Sequence, residues 1–267
     1  MFSEIISRSN KTFKHIKSLG SKSCREKNNE FIIEGVRLIK DAIDSSVDFK
    51  MIVINDSFLE EKQSKHILER LLDHNISVFK FSNQMFQEVS HTETPQGILG
   101  VVSIKTFYID HITGSTNCPF YIFCDNVQDP GNMGTIIRTA DAAGADAVIL
   151  SKGCVDVYNP KTVRSTMGSL FHLPVIKVEN TAQVLSSLKH KGISIISGHL
   201  SSDICHFEVN MKKGIMIVVG NEANGISEEV INLSDYFVKI PISGKAESLN
   251  VAIASAILMY EAVRQRN

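Results

Sequence analysis

The sequence lacks the features that mark several specialised classes of protein. Its five cysteines, an odd number, include no CxxC pair, which argues against a disulfide framework and against a zinc site. No stretch stays apolar long enough to cross a bilayer, and the lysine-interrupted start does not look like a signal peptide. We therefore expect a soluble, cytoplasmic protein that binds neither a metal nor a membrane.

The sequence also has almost no net charge, with a formal value of −1 at pH 7. A nucleic-acid partner would therefore be held by a local basic patch rather than by the field of the whole molecule. The opening segment offers such a patch, because its basic residues outnumber Glu4 and Glu26. They are Lys11, Lys14, Lys17, Lys22, Arg25 and Lys27. The alternative interpretation is a solvated helix without a partner.

The first half of the chain alternates apolar runs with segments of helical spacing. The expected strands are Phe31–Ile33, Met51–Ile54, Ile76–Phe81 and Gly97–Val102, and the expected helices are Val36–Ser45, Ser57–Asp73 and Asn83–Val89. This pattern predicts a small α/β domain over residues 1–105. Periodicity is lost over residues 106–118, which include Gly114, Ser115, Thr116 and Asn117, so we expect a linker there and a second domain over residues 119–267.

In the second half, buried strands run into polar loops that open helices. The strand and loop pairs are Phe120–Cys124 with 125–134, Ile215–Val219 with 220–226, and Phe237–Ile242 with 243–250. Loops at the carboxyl ends of parallel strands are where open α/β sheets bind ligands. The final helix, Val251–Arg264, has a thin polar face, which fits burial against another subunit or against its own sheet equally well.

The first loop carries Asn132, Gly134 and, one helical turn later, Arg138. A guanidinium beside backbone N–H groups at a helix start suits a phosphate. A surface ion pair is the structural alternative for Arg138. A further segment places Lys161 and Arg164 at neighbouring helical positions, which by itself usually marks a solvated face.

The second loop has two glycines, Gly220 and Gly225, but lacks the lysine of a phosphate-binding loop of nucleotide triphosphatases. Glu222 within it could accept hydrogen bonds from a ligand, or it could cap the helix that begins near Ser227. In the third loop, capping of the final helix is an adequate structural explanation for Ser248 and Asn250. Their hydroxyl and amide groups would also face any ligand that lies over the strand ends.

Together these loops resemble the SpoU or TrmH family of SPOUT methyltransferases. The resemblance lies in Asn132-x-Gly134-x-x-x-Arg138-x-Ala140, Gly220-Asn221-Glu222-x-x-Gly225, and Ile240-Pro241 with Glu247-Ser248-Leu249-Asn250-Val251-Ala252, with Arg164-Ser165-Thr166-x-Gly168-Ser169 between them. In the first half, residues 5–19, 31–37 and Thr94-Pro95-Gln96-Gly97 resemble the substrate-binding domain, similar to a small ribosomal protein, of family members. Ala223-Asn224 and Thr166 depart from the usual pattern and leave the substrate preference open.

The resemblance implies a deep trefoil knot in the C-terminal α/β domain, with an RNA-binding α/β domain ahead of it. It also implies S-adenosylmethionine held by Gly220, Ile240 and Leu249, and transfer of its methyl group to a ribose 2′-hydroxyl of RNA without a metal. The implied catalytic residues are Arg138, Asn132, Glu222, Ser248 and Asn250. Because a guanidinium rarely loses its proton, we expect Arg138 to grip a phosphate and stabilise the developing alkoxide rather than act as a base.

The expected partners are ribosomal RNA of the large subunit and a second copy of the chain, since family members form homodimers. Three other functions stay open at this point: a non-catalytic RNA-binding protein of the same fold, a tRNA 2′-O-methyltransferase, and a small-molecule enzyme that uses a nucleotide. Housekeeping and antibiotic resistance are both open as biological roles.

Overall fold

The computed structural model describes residues 2–62, 64–114 and 116–267. The strands are β1 (Ser3–Ile5), β2 (Glu30–Glu34), β3 (Phe49–Ile54), β4 (Val78–Phe81), β5 (Ile98–Ser103), β6 (Phe120–Cys124), β7 (Ala147–Leu150), β8 (Val175–Lys177), β9 (Ser194–Gly198), β10 (Ile215–Val219) and β11 (Tyr236–Val238). The helices are α1 (Lys11–Ser18), α2 (Lys22–Asn28), α3 (Val36–Asp44), α4 (Asp56–Leu59), α5 (Ser64–Asp73), α6 (Asn83–Val89), α7 (Ile109–Ile112), α8 (Pro130–Ala142), α9 (Pro160–Thr166), α10 (Thr181–His190), α11 (Glu228–Ile231) and α12 (Val251–Arg266).

The chain forms two compact units. Unit 1 consists of Met1–Lys105 and Asp156–Phe171, and unit 2 consists of Thr106–Val155 and His172–Asn267. The segment Asp156–Phe171, which includes α9, therefore packs with the first half of the chain although it lies far along the sequence. The stretch expected as a linker carries α7, whose Ile112 is buried in the core of unit 2. Ser115 of that stretch lies outside the described residues.

Unit 1 is built on a mixed sheet with the strand order β1-β4-β3-β5-β2. Strand β3 runs parallel to β4 and antiparallel to β5, which also pairs antiparallel with β2. Successive side chains of a strand point to opposite faces, so Ile32 and Ile33 enter separate hydrophobic cores on the two sides of the sheet. Val163 of α9 joins the core of Ile33, and the ring of Tyr158 lies 4.8 Å from that of Phe31.

Unit 2 is built on a parallel sheet with the strand order β11-β9-β10-β6-β7-β8. The central strands β6 and β10 are buried at every position, which explains why both read as continuous apolar runs. Because all these strands point the same way, the loops that follow β6, β10 and β11 leave the sheet at one edge. The predicted α/β fold class is confirmed in both units.

Two predicted elements differ from the structure. The strand expected over Phe237–Ile242 ends at Val238, and Pro241, which has no N–H to donate to a ladder, lies in the loop that follows. The single helix expected over Ser57–Asp73 is two helices, α4 and α5. The hydroxyl of Ser64 donates to the carbonyls of Leu59 and Glu61, which competes with continuous helical bonding. Gln63 of this stretch lies outside the described residues.

The final helix packs mainly on its own unit. It lies against α8 and β10, and Leu258, Met259 and Ala262 are buried there. Ile253 and Tyr260, seven residues apart and so on one face, are each 52% exposed. One face of α12 is therefore covered by unit 2, and another presents apolar side chains to solvent. Among the described residues, no helix combines the length and the apolar character needed to span a membrane.

Candidate functional site

A cavity of about 420 Å³ opens at the carboxyl edge of the parallel sheet of unit 2. Its walls come from four stretches of chain, which lie at the ends of β9, β10 and β11 and at the start of α12. The lining residues are 198–200, 219–223 with 225–226, 238–240 with 242, and 248–251 with 254 and 258. Volumes of this order are typical of small-molecule sites. The residues predicted to hold a cofactor, Gly220, Ile240 and Leu249, all line it.

The loop after β10 is closed by its own backbone. The N–H of Asn221 donates to the carbonyl of Gly225 at 2.8 Å, and the N–H of Gly225 donates back at 3.0 Å. A Cβ placed on Gly220 would collide with the backbone of Gly225, so only glycine fits there. The side chain of Asn221 accepts from the N–H groups of Ala223 and Asn224 and donates to the carbonyl of Asn126. The loop is thus fixed before any ligand arrives.

The cavity wall combines apolar side chains with free backbone groups. Val238 and Leu258 are buried, and Ile240 and Leu249 are partly exposed. Within the described part of the chain, the backbone N–H and C=O groups of Ile240 and Leu249 make no hydrogen bond. A flat heteroaromatic ring that both donates and accepts hydrogen bonds is the kind of ligand such a wall suits.

Three of the predicted catalytic residues are joined by hydrogen bonds beside this cavity. The Glu222 carboxylate accepts from the side-chain amide of Asn132 at 3.0 Å and from the N–H groups of Gln128 at 3.2 Å and Asp129 at 3.1 Å. The side-chain amide of Asn250 donates to Asn132 Oδ1 at 2.9 Å. The cluster Glu222–Asn132–Asn250 therefore links the loops after β6, β10 and β11.

The carboxylate of Glu222 is held in its ionised form. Partial burial acts to raise its pKa, but the hydrogen bonds from Asn132, Asp129 and Gln128 outweigh burial, and the pKa lies below its ordinary value. Glu222 is thus a fixed negative charge at neutral pH. The alternative interpretation of Glu222 as the cap of α11 is wrong, because Ser227 is the N-cap residue of that helix and the Glu222 carboxylate bonds to the loop after β6 instead.

Of the two caps expected for the final helix, Asn250 is present as the N-cap and Ser248 is not. Asn250 Oδ1 accepts from the N–H groups of Ala252 at 2.9 Å and Ile253 at 3.3 Å. Asp129 caps α8 by accepting from the N–H of Asn132 at 2.8 Å, with Pro130 at the first helical position. Capping fixes the side chain of Asn250 so that its amide N–H group points to Asn132, and the structural and site roles of Asn250 coexist.

The remaining two predicted site residues are placed differently. Ser248 lines the cavity and is exposed, with no side-chain hydrogen bond to a described residue. Arg138 lies on the exposed face of α8, one turn after Gly134, and outside the cavity wall. Its guanidinium makes neither a hydrogen bond nor an ion pair with any residue that the structure describes. The surface ion pair considered for Arg138 is therefore absent from this part of the chain.

Sequence reasoning assigned no role to Asp125, Asn126 and Asn221. Their side chains form hydrogen bonds that hold the loops after β6 and β10 in place. Asp125 is buried, and it accepts from Asn126 Nδ2 at 3.0 Å and from Ser227. The available signal was their position, since Asp125 and Asn126 directly follow β6 and Asn221 follows β10 by one residue. Cys124 and Cys154 lie close by, and burial raises the pKa of both thiols, which keeps them protonated.

Some basic residues of the opening segment are already bonded to other residues of the chain. Arg25 is 3% exposed, and its guanidinium donates to the carbonyls of Leu19 and Gly20 and to the carboxylate of Asp156. Lys17 pairs with Glu88 at 3.0 Å. The expectation that Arg25 contacts a nucleic-acid backbone is therefore wrong, because its donors are already satisfied within unit 1.

Two family descriptions match consecutive parts of the chain. Residues 119–260 match the SpoU rRNA Methylase family, and residues 10–100 match the MRM3-like substrate binding domain. The first match contains all eight predicted site residues. The second covers most of the first half of the chain.

Individual relatives are similar over almost the whole length. The 23S rRNA (guanosine(2553)-2′-O)-methyltransferase RlmP of Bacillus subtilis is 37% identical over 257 residues, covering 96% of this chain and 98% of the relative. The 23S rRNA (uridine(2479)-2′-O)-methyltransferase of Streptomyces viridochromogenes is 31% identical, covering 93% and 87%. The crystal structure of an AdoMet-bound rRNA methyltransferase from Sinorhizobium meliloti superposes with a TM-score of 0.88 at 30% identity, covering 98% of both chains.

Proposed function

Because this chain belongs to the SpoU rRNA methylase family, we propose that it transfers a methyl group from S-adenosylmethionine to a ribose 2′-hydroxyl of large-subunit ribosomal RNA. The observation that carries the proposal is the cavity of unit 2, which gathers Gly220, Ile240 and Leu249 in its wall and has the Glu222–Asn132–Asn250 cluster at its side. The relatives named as 23S rRNA 2′-O-methyltransferases favour ribosomal RNA over tRNA as the substrate.

The cavity fits S-adenosylmethionine on chemical grounds. Free backbone donors and acceptors at Ile240 and Leu249 match the hydrogen-bonding edge of adenine, and the buried side chains of Val238 and Leu258 match its faces. Gly220 lets the loop backbone close tightly at one end of the cavity. When bound, S-adenosylmethionine supplies a methyl group activated by the adjoining sulfonium.

The chain's own residues have to align the ribose oxygen and assist the loss of its proton. Glu222, ionised and rigidly held, orients the amide of Asn132, and Asn250 fixes the opposite end of that amide. Ser248 offers a free hydroxyl at the cavity wall that can donate to or accept from a ribose oxygen.

Arg138 has the role of an anion-binding residue in this proposal. Its exposed guanidinium has no partner among the described residues, so its donors are available to the phosphate next to the target ribose and to the developing alkoxide. An arginine guanidinium stays protonated in proteins, which makes it a poor general base.

The test is methyl transfer from tritiated S-adenosylmethionine to ribosomal RNA that lacks the modification. We expect radioactivity to enter the large-subunit RNA and to require S-adenosylmethionine. Tight binding without transfer would favour a non-catalytic RNA-binding protein. Transfer to tRNA but not to ribosomal RNA would overturn the substrate assignment.

We further propose a homodimer, supported by the apolar face that α12 presents to solvent. Ile253 and Tyr260 lie on this face, and Leu200 and Phe207 of the segment between β9 and β10 are exposed as well. Exposed apolar side chains in such number are more typical of an interface than of a monomer's surface. Cross-linking or light scattering gives the oligomeric state directly.

The trefoil knot and the division into domains stay proposals. The chain after β11 is bonded to the segment between β9 and β10 at two places: Lys239 exchanges hydrogen bonds with Ile204 and His206, and Gln265 bonds to Val209 and Met211. Both ends of the C-terminal segment are thus bonded to the segment between β9 and β10. These contacts support the proposal that the chain end passes through a loop to form the knot. We also propose the boundaries 1–105, 106–118 and 119–267 for the functional domains and the cytoplasm as the site of the reaction, because ribosomal RNA is found there.

A further inference from the structure

A second groove, of about 300 Å³, lies wholly within unit 1 and has no part in the site described above. It is formed where β2 passes into α3, by the loop that precedes β5, and by the end of α9. The lining residues used below are Arg37, Leu38, Thr92, Gln96, Arg164 and Met167. We call it the Arg37–Arg164 groove.

The groove carries two guanidinium groups with spare donors. Arg37 is exposed and makes no side-chain hydrogen bond or ion pair within the described part of the chain. Arg164 uses a single N–H group, which donates to the carbonyl of His91 at 2.9 Å. Since a guanidinium has five N–H donors, most of the donor capacity of this pair is unused.

Among the described residues, the acidic residue of the groove, Glu34, forms no ion pair with either arginine, and its single negative charge leaves the groove with a net positive charge. The Glu34 carboxylate accepts from the hydroxyls of Ser90 and Thr92, both at 2.6 Å, and from the N–H of His91 at 3.0 Å. Burial lowers the pKa of His91, Arg164 and Arg25 lower it further, and Glu34 only partly opposes them, so the imidazole is neutral at pH 7. The positive charge of the groove therefore resides in the two arginines.

Free backbone N–H groups at the start of α3 also favour an anion in this groove. The N–H of Val36 donates to Gln96 Oε1 at 2.9 Å, but the N–H groups of Arg37 and Leu38 in the first turn of α3 find no acceptor among the described residues. They add a favourable dipole to the charge of Arg37. These donors and positive charges suit a phosphate rather than an uncharged ligand.

Two of the groove's lining residues, Leu38 and Met167, are apolar. Leu38 is buried beneath the groove, and Met167 is 40% exposed at its edge. The turn that presents Met167 requires glycine at position 168, because Gly168 has a φ of +103° and a Cβ there would collide with the Asp41 carboxylate. An exposed, unbranched thioether side chain over an apolar floor suits the face of a flat base.

We propose that the Arg37–Arg164 groove binds one unpaired nucleotide of the RNA substrate, with its phosphate at the two guanidinium groups and its base against Leu38 and Met167. The inference rests on the proposed function for the identity of the RNA. The volume suits a single nucleotide, and the pairing of planar guanidinium groups with an apolar surface is how proteins recognise unstacked nucleotides. Thr92 and Gln96 also line the groove and supply polar contacts for the ribose.

Equilibrium binding of the full-length protein to a short fluorescent oligouridylate tests the proposal. We expect Arg37→Ala to weaken binding by about tenfold, and to lower the slope of log affinity against log salt concentration by about one. Arg164→Gln should give a similar loss. Arg70→Ala is the matched control, because this arginine of unit 1 is already paired with Asp44. Its affinity should equal that of the wild type.

A blunt-ended RNA duplex of the same length separates an unpaired nucleotide from helical backbone. Arg37→Ala should affect the single strand much more than the duplex, and equal losses on both would overturn the claim of an unpaired nucleotide. Unchanged single-strand binding by both groove variants would overturn the site itself. Calorimetric titration of the wild type with S-adenosylmethionine is run alongside, and its failure would count against the proposed function but not against the groove.

Discussion

Asn132 and Glu222, ninety residues apart in sequence, meet through a hydrogen bond of 3.0 Å from the side-chain amide to the carboxylate. The other end of the same amide accepts from Asn250 at 2.9 Å, so the orientation of Asn132 is set from both sides. The bond couples the start of α8 to the loop after β10. The polar face of the proposed site is therefore a connected network rather than a set of separate side chains.

Asn132→Asp tests this network. The change removes the donor to Glu222 and places a second negative charge beside it, and two adjacent carboxylates repel each other. Because Asn132 is outside the cavity wall, we expect methyl transfer to fall by about a hundredfold with nearly unchanged S-adenosylmethionine affinity. Asn224→Asp, in the exposed part of the neighbouring loop, is the control for added charge. Equal activity of both variants would contradict the role of the network.

Arg138→Ala tests the residue assigned to the RNA phosphate. The guanidinium has no internal partner to lose, so folding and S-adenosylmethionine binding should be preserved. We expect transfer to fall by about a hundredfold or more, since removal of one preorganised group that stabilises developing charge has effects of this size. The measurement is single-turnover transfer together with calorimetry. Full activity of the variant would refute the assignment.

Gly220→Ala tests the tight closure of the loop after β10. The added methyl group collides with the backbone of Gly225, so the bridge between Asn221 and Gly225 has to open. We expect S-adenosylmethionine affinity to fall by about tenfold or more, because forced repacking costs about 1–3 kcal/mol. Gly244→Ala is the matched control, since a Cβ there meets open space. Tight binding by the Gly220 variant would show that the loop adapts.

The lowered pKa of Glu261 on α12 leads us to expect that the free energy of unfolding falls at acid pH. The hydrogen bond from Arg264 lowers its pKa from 4.5 to about 2, burial opposes this shift, and Gln265 adds to it. The folded state thus favours the ionised carboxylate, so its stabilising effect is complete above pH 4.5 and is lost as the pH falls toward 2. Glu261→Gln should show a shallower loss of stability across this window in urea unfolding. Identical slopes for the two proteins would contradict it.

The sequence was most informative where strands are buried on both faces. The sequence predicts the strands Phe120–Cys124 and Ile215–Val219 with their observed bounds, because a continuous apolar run bordered by proline and aspartate or by glycines has few other interpretations. The family resemblance was confirmed, and it gave the residues of the cavity wall. Sequence also indicated that Asn250 caps a helix, since asparagine before an apolar run is a common start signal.

The sequence does not predict which residues from distant segments form hydrogen bonds with each other. The hydrogen bonds of Glu222 to Asn132 and Asp129 depend on β6 and β10 being neighbours in the sheet, and strand order leaves no local signal. For the same reason the sequence places Arg25 in a solvent-facing basic patch, although Asp156, far along the chain, pairs with it. Charge and helical spacing predict a surface position, and only tertiary structure shows a buried one.

The chemical position of the transferred methyl group tests the account most directly. Large-subunit ribosomal RNA labelled with tritiated S-adenosylmethionine by the wild-type enzyme is hydrolysed completely with alkali, which cannot cleave beside a 2′-O-methylated ribose. We predict that the label appears in an alkali-resistant dinucleotide, at one position of the RNA. Label recovered on a base in mononucleotides, or no label in RNA although S-adenosylmethionine binds, would contradict the assignment of this chain as a ribose 2′-O-methyltransferase.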